Sequence, residues 1–342
     1  MTKDKIKNTS LIEPGDHGAF VISLDFEMYW GVRDYLMSNP GYVENLKGEY
    51  EAIPAILNLF KEYDVSATWA TVGFLFAESF EEISIYKPTR LPQYKDQSLS
   101  PYRDSVGQVE VEPSICYSPD LIRMIANTPG QELATHTYSH FYCLEDGQTI
   151  DDFRSDIESA VAIAAKFDVK PRSIVFPRNQ HNPAYDNVLI ENGIICFRGN
   201  QNSAIYQFGG NTQSNPLYRI GRLADTYVNV TGLNTYKWPV PVAGQLVNIP
   251  ASQFLRPVSN ANGFYEDRQF SRLAKCLATA AEKNEVFHLW WHPHNFGRRL
   301  EENIGFLRRI FDHFGELRLK RGLRSLSMGD LAESCLRGTS WR

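Results

Sequence analysis

The chain has little that would mark it for export, for a membrane or for nucleic acid. Its first residues, MTKDKIKNTSLIEPGDHG (1–18), are polar and charged and lack the apolar stretch of a secretory signal. No later stretch reaches the ~18 apolar residues of a membrane span, so a cytoplasmic location is expected. There are only five cysteines, Cys116, Cys143, Cys196, Cys276 and Cys335, an odd number never arranged as CxxC. That argues against a disulfide framework and a thiolate zinc site, and reads them as core or incidental residues. Nor is there a basic excess: 35 Lys and Arg face 40 Asp and Glu, for a net charge of −5. Without surplus cations to neutralise phosphates, nucleic-acid binding is not expected. Internal repeats and low-complexity tracts are also missing.

What the chain does have is 342 residues, 43% of them hydrophobic, enough for one large core or two smaller ones. We read a single catalytic domain over 1–342 with a polar tail over 1–17. Strand-like and helix-like stretches alternate, the pattern of an α/β fold with parallel strands. GAFVISLD (18–25), VSATWATVG (65–73), QELATH (131–136), RSIVFP (172–177), IICFRG (194–199), EVFHLWWH (285–292) and LRSLS (323–327) read as strands. Helical apolar spacing runs over 49–64, 118–127, 149–167, 183–193, 267–284 and 298–317, with Thr149 and Asp152 spaced as a capping box. About seven strands with helices between them fit a distorted or incomplete (β/α) barrel better than an open doubly wound sheet. Two long insertions break the rhythm, at about 77–117 and 200–244. Their aromatic content suggests ordered loops lining a site, although plain loop packing is the simpler reading.

Four groups of polar residues fall at the ends of four of these strands. SLDFEMYW (23–30) carries Asp25 and Glu27 two residues apart, so on an extended chain both would point to one side. ATHTYSHFYC (134–143) supplies His136 and His140, a pair that converges on one metal if the segment makes a helical turn. Two histidines with one carboxylate, from either Glu27 or Asp25, form a three-ligand site with open positions. LWWHPHNFG (289–297) delivers His292 and His294 just past an apolar strand, where a barrel places its active face. Arg178, in IVFPRNQ (174–180), is either a surface charge or a partner that orients a carboxylate.

Taken in order, SLDFE, HTYSH, FPRNQ and LWWHPH resemble the motifs of the polysaccharide deacetylase family, the NodB-homology or family-four carbohydrate esterases. The resemblance spans about 21–327. It implies a deformed (β/α) barrel that binds one divalent metal, zinc first, with cobalt, nickel, iron or manganese as alternatives, and that hydrolyses an N-acyl group from a sugar. By position it makes Asp25 the general base, Glu27, His136 and His140 the metal ligands, Arg178 the group that orients Asp25, and His292 the general acid, with His294 as runner-up. The family's commonest acid pair is two adjacent aspartates; here Phe26 intervenes and the second acid is a glutamate.

The reading that follows is a metal-dependent hydrolase that removes acetyl or formyl from an amino sugar in a small acylated precursor, nucleotide- or lipid-linked, of a surface polysaccharide. Two alternatives are a hydrolase of a non-sugar linear or cyclic amide and an inactive carbohydrate-binding or scaffold barrel. A homodimer is the default assembly.

Overall fold

The computed structural model describes residues 14–102, 112–201, 203, 206, 216–258 and 263–337. Its central strand, β1 (Ala19–Phe26), is buried at every residue. Six of its eight residues are apolar, as suits a parallel strand covered on both faces in a barrel. β2 (Ala67–Thr71), β3 (Gln131–Thr135), β4 (Ser173–Ile174) and β5 (Cys196–Phe197) follow on one side. β6 (Val247–Asn248), β7 (Gln253–Phe254), β8 (Val286–Trp291) and β9 (Arg324–Leu326) complete the set. The sheet order is β6-β5-β4-β3-β2-β1-β8-β7, every named pairing is parallel, and β9 joins β1.

The two ends of that order, β6 and β7, are separated in sequence only by 249–252. The chain therefore leaves β5, where the Ile249 N–H bonds Phe197 O, and arrives at β8, where the Ser252 N–H bonds His288 O. Pro250 sits in this crossing, where a residue without an N–H cannot continue either ladder. The sheet thus curls round until one interrupted strand links its ends, an incomplete barrel as the strand rhythm predicts. Nine strands stand where about seven are expected. The additions, β6 and β7, are two residues each, too short to leave a periodic signal after the long second insertion.

Helices pack outside. Glu49–Tyr63 turns Ile53, Ile56, Leu57 and Phe60 inward, and Leu300–Arg321 adds Phe311 and Phe314 beside Phe20 and Phe287. Each such side chain contributes about 1.5–3 kcal/mol by leaving water. The helix Ile150–Ala165 begins with the expected capping box between Thr149 and Asp152. A helix the sequence reading did not include, Met28–Ser38, starts just after β1, and two more lie at Phe80–Ile85 and Pro216–Tyr227 in the insertions. All five cysteines are buried and free. No helix among the described residues is long and apolar enough to cross a membrane.

Candidate active site

Asp25 occupies the second-to-last position of β1, at the carboxyl end of the barrel, and is 3% exposed. A carboxylate so buried needs a partner. Arg198, the first residue past β5, supplies it: Nη1 and Nη2 donate to Asp25 Oδ1 and Oδ2, each at 2.7 Å. The same guanidinium donates to Ser23 Oγ and Asn179 Oδ1, both at 3.0 Å, and lies over Trp290 at 4.2 Å. Ser23 Oγ is also 2.8 Å from His288 Nε2, and His288 Nδ1 is 3.3 Å from Ile249 O. Since the backbone oxygen only accepts, Nδ1 carries the proton, Nε2 accepts from Ser23, and every group behind Asp25 has a fixed polarity. Burial alone would raise the Asp25 pKa; the charge and hydrogen bonds of Arg198 overcome this and hold it below the usual carboxylate value.

Glu27 reaches the site by a different route. β1 stops at Phe26, Glu27 (φ −131°, ψ −18°) is the residue before the helix Met28–Ser38, and Met28 has φ of 42°. The extended-chain argument for the pair therefore covers Asp25 alone; a sharp strand-to-helix turn aims Glu27. Gly31 makes room for it, because a Cβ there would lie 1.9 Å from Glu27 Cδ.

His136 follows β3 directly, and its Nδ1 donates to Val175 O at 2.8 Å, which leaves Nε2 as the free lone pair. His140 is brought alongside without a helical turn. Residues 137–140 form an irregular loop in which Thr137 and His140 take left-handed φ of 64° and 58°. Asp156 clamps it from the helix Ile150–Ala165, accepting from the Tyr138 and Ser139 amides and from Ser139 Oγ. Thr137 Oγ1 accepts from the Phe141 N–H at 2.7 Å.

These routes converge. His136 Nε2 and His140 Nε2 lie 3.3 and 3.1 Å from Glu27 Oε2, all three side chains are buried, and their ligand atoms lie within 4.8 Å of one another. The donor set fits a divalent metal. The His136 Nε2 atom is buried with no hydrogen-bond partner, and both imidazoles have their second nitrogen engaged, His140 Nδ1 with Tyr142 Oη at 3.2 Å. Burial opposes charge on Glu27, but His292 and the close approach of His136 and His140 outweigh it and hold the carboxyl well below its ordinary value. Burial likewise lowers His140 to about 4, against the pull of Glu27. A neutral His140 and an ionised Glu27 are ligand forms that suit a metal.

His292, just past β8, is 3.4 Å from Glu27 Oε1 and 3.7 Å from Asp25 Oδ2, with its side chain 23% exposed. His294 stacks on it at 5.0 Å, fully inside. Arg178 sits elsewhere: it pairs with Asp34 and lies over the Tyr142 ring at 4.3 Å, so the guanidinium on Asp25 is Arg198 and not the expected Arg178. Sequence reasoning passed over Arg198, yet the same signal marked it, an arginine directly after an apolar strand, IICFR beside IVFPR. A cavity of about 240 Å³ opens beside His292, walled by β7, β8 and residues of the second insertion.

A family model, polysaccharide deacetylase, matches residues 41–196. That span contains both histidines of the cluster, but neither Asp25, Glu27, Arg198 nor His292. No curated protein matches in sequence. Among solved structures, one from Mycobacterium smegmatis described as a polysaccharide deacetylase superposes with a TM-score of 0.59 at 15% identity, covering 94% of this chain and 93% of that one. One from Pseudomonas aeruginosa PAO1, described likewise, gives 0.56 at 14% identity, with 96% and 94% covered. A structure of Puue allantoinase gives 0.54 at 14%, with 96% and 93% covered. At these identities the likeness is one of fold.

Proposed function

We propose, for a chain whose residues 41–196 match the polysaccharide deacetylase family model, that this site hydrolyses the N-acyl group of an amino sugar with the help of one divalent metal. The observation that carries the reading is the buried cluster of Glu27, His136 and His140 set beside an Asp25 already ionised by Arg198. A metal held by those three would supply a Lewis acid that polarises an amide carbonyl and acidifies a water.

Asp25 receives the proton of the attacking water. Its pKa lies below the usual carboxylate value, so it is ionised and ready at neutral pH, and Arg198 keeps both oxygens from swinging away. His292 then returns a proton to the leaving nitrogen, since an amine expelled as an anion is a poor leaving group. His294 is less suited to that role. Burial, and after it the neighbouring His292, lowers its pKa to about 3, which leaves it neutral beneath the ring it supports. The substrate class proposed is a small acylated precursor, such as a nucleotide- or lipid-linked amino sugar, with zinc the first choice of metal.

The test combines metal analysis with acetate and formate release from a panel of N-acylated amino sugars. Asp25→Asn should keep stoichiometric metal and lose at least ~100-fold in turnover. His140→Ala should lose the metal. A protein that purifies and reconstitutes without metal, or an Asp25→Asn variant with full turnover, would overturn the reading.

A further inference from the structure

The cavity beside His292 has features that amide hydrolysis alone does not need. Its floor is aromatic, Trp290 and Phe254 in edge contact at 4.7 Å. Asn200, Gln201 and Tyr206 line its wall.

The wall also holds Arg256. Among the described residues its side chain makes one hydrogen bond, Nε to Thr226 Oγ1 at 2.9 Å, and no ion pair. The nearest buried acid of the insertion, Asp225, is already committed. It bridges Arg272 at 3.0 Å and accepts from Tyr206 Oη, Thr231 Oγ1 and the amides of Val230 and Thr231. That network ties the helix Pro216–Tyr227 to the helix Phe264–Lys283, so the cationic wall is built from ordered structure and its charge is not cancelled there.

From this arrangement we infer that the cavity is a specificity pocket for an anionic oxygen group, phosphate or carboxylate, on the substrate: Arg256 takes the charge, and Trp290 and Phe254 the apolar face of the sugar ring. The inference rests on the proposed N-acyl hydrolysis only for where the substrate lies; the pocket's preference is independent of turnover. A guanidinium with free Nη donors pairs bidentately with either oxyanion.

Intrinsic tryptophan fluorescence, with Trp290 in the wall, measures binding of three probes to the metal-loaded protein: N-acetylglucosamine, N-acetylglucosamine 1-phosphate and N-acetylmuramic acid. At least one anionic probe should bind ~10-fold or more tightly than the neutral one, and which of the two does so tells phosphate from carboxylate. R256Q should abolish the difference and R256K should largely keep it. With a hydrolysed substrate, R256Q should raise KM for the anionic form far more than for the neutral one. Equal or undetectable binding of all three probes, or a preference that survives R256Q, overturns the inference. Tight anionic binding with no acyl release from any sugar would instead overturn the proposed function and leave the pocket standing.

Discussion

Asp25 and Glu27 are two residues apart, yet they stand in two differently built regions. Behind Asp25 the structure is all strand ends: β1 carries it, Arg198 comes from the end of β5, His288 from β8, and the parallel ladders fix their register. Around Glu27 it is turns and loops: a strand-to-helix turn with Met28 at φ 42°, and a histidine loop held by one carboxylate, Asp156. The comparison teaches where each kind of failure should appear. Damage on the strand side leaves a buried charge unpaired and strikes folding, whereas damage on the loop side strikes the proposed metal site first.

The largest expected effect lies on the strand side. Arg198→Ala leaves Asp25 buried without its guanidinium and should cost about 3–5 kcal/mol, read from urea unfolding. Arg178→Ala removes a pair whose Asp34 partner is 48% exposed and should cost less than ~1 kcal/mol. Equal losses in the two variants would collapse the distinction between the two arginines. Next comes the loop clamp. Asp156→Ala should cost about 2–3 kcal/mol from its charged hydrogen bonds and weaken metal binding by about 10–100-fold, as measured by competition with a chelator. Unchanged metal affinity would mean that the loop holds its shape without Asp156.

A pH measurement sharpens the strand side further. Burial, then Arg198, lowers His288 to about 3, and burial lowers His294 to about 3 as well. In the unfolded chain both titrate near ~6.5. Between these values the unfolded state binds more protons, so stability rises with pH; it is fully present above ~6.5 and is lost as pH falls toward about 3. Asp156, which burial pushes up to about 6, works in the opposite direction over the upper part of that window. His288→Gln should therefore reduce the slope of stability against pH by up to about 1.4 kcal/mol per unit between pH 4 and 6. A slope identical to the parent's would show that His288 is charged in the folded protein.

How much of this was legible in the sequence follows the same division. β1 and β8 are long, mostly apolar runs and β3 a shorter strand that takes its place in the α/β rhythm, and the residues at or just past their ends, Asp25, His136 and His292, could be found by position. Arg198 follows a two-residue strand and stood in the shadow of Arg178, which follows another; choosing between them needs the curl of the sheet, which no local pattern encodes. His140 was found as a partner of His136 for a reason that does not hold, since left-handed residues bring it round and not a helical turn. β6 and β7 were invisible because a strand of two residues has no period. Loop geometry at Thr137 and Met28 costs local strain that only the folded surroundings make worthwhile, and so it has no signature in composition.

The finest test of the comparison is at Gly31. It lies within the helix Met28–Ser38, where alanine is ordinarily the better residue by roughly 0.5–1 kcal/mol. A Cβ there meets Glu27 at 1.9 Å from Cδ and 2.3 Å from each carboxylate oxygen, and the end of the Glu27 side chain is the part free to move. Gly31→Ala should thus leave thermal stability within about 1 kcal/mol of the parent while lowering metal affinity, because the displaced carboxylate no longer faces His136 and His140. Stability and metal binding would separate at a single methyl group. If metal affinity is retained, Glu27 is not a ligand in the position seen here; if the protein unfolds, the turn after β1 is as rigid as the strand before it, and the two regions are one.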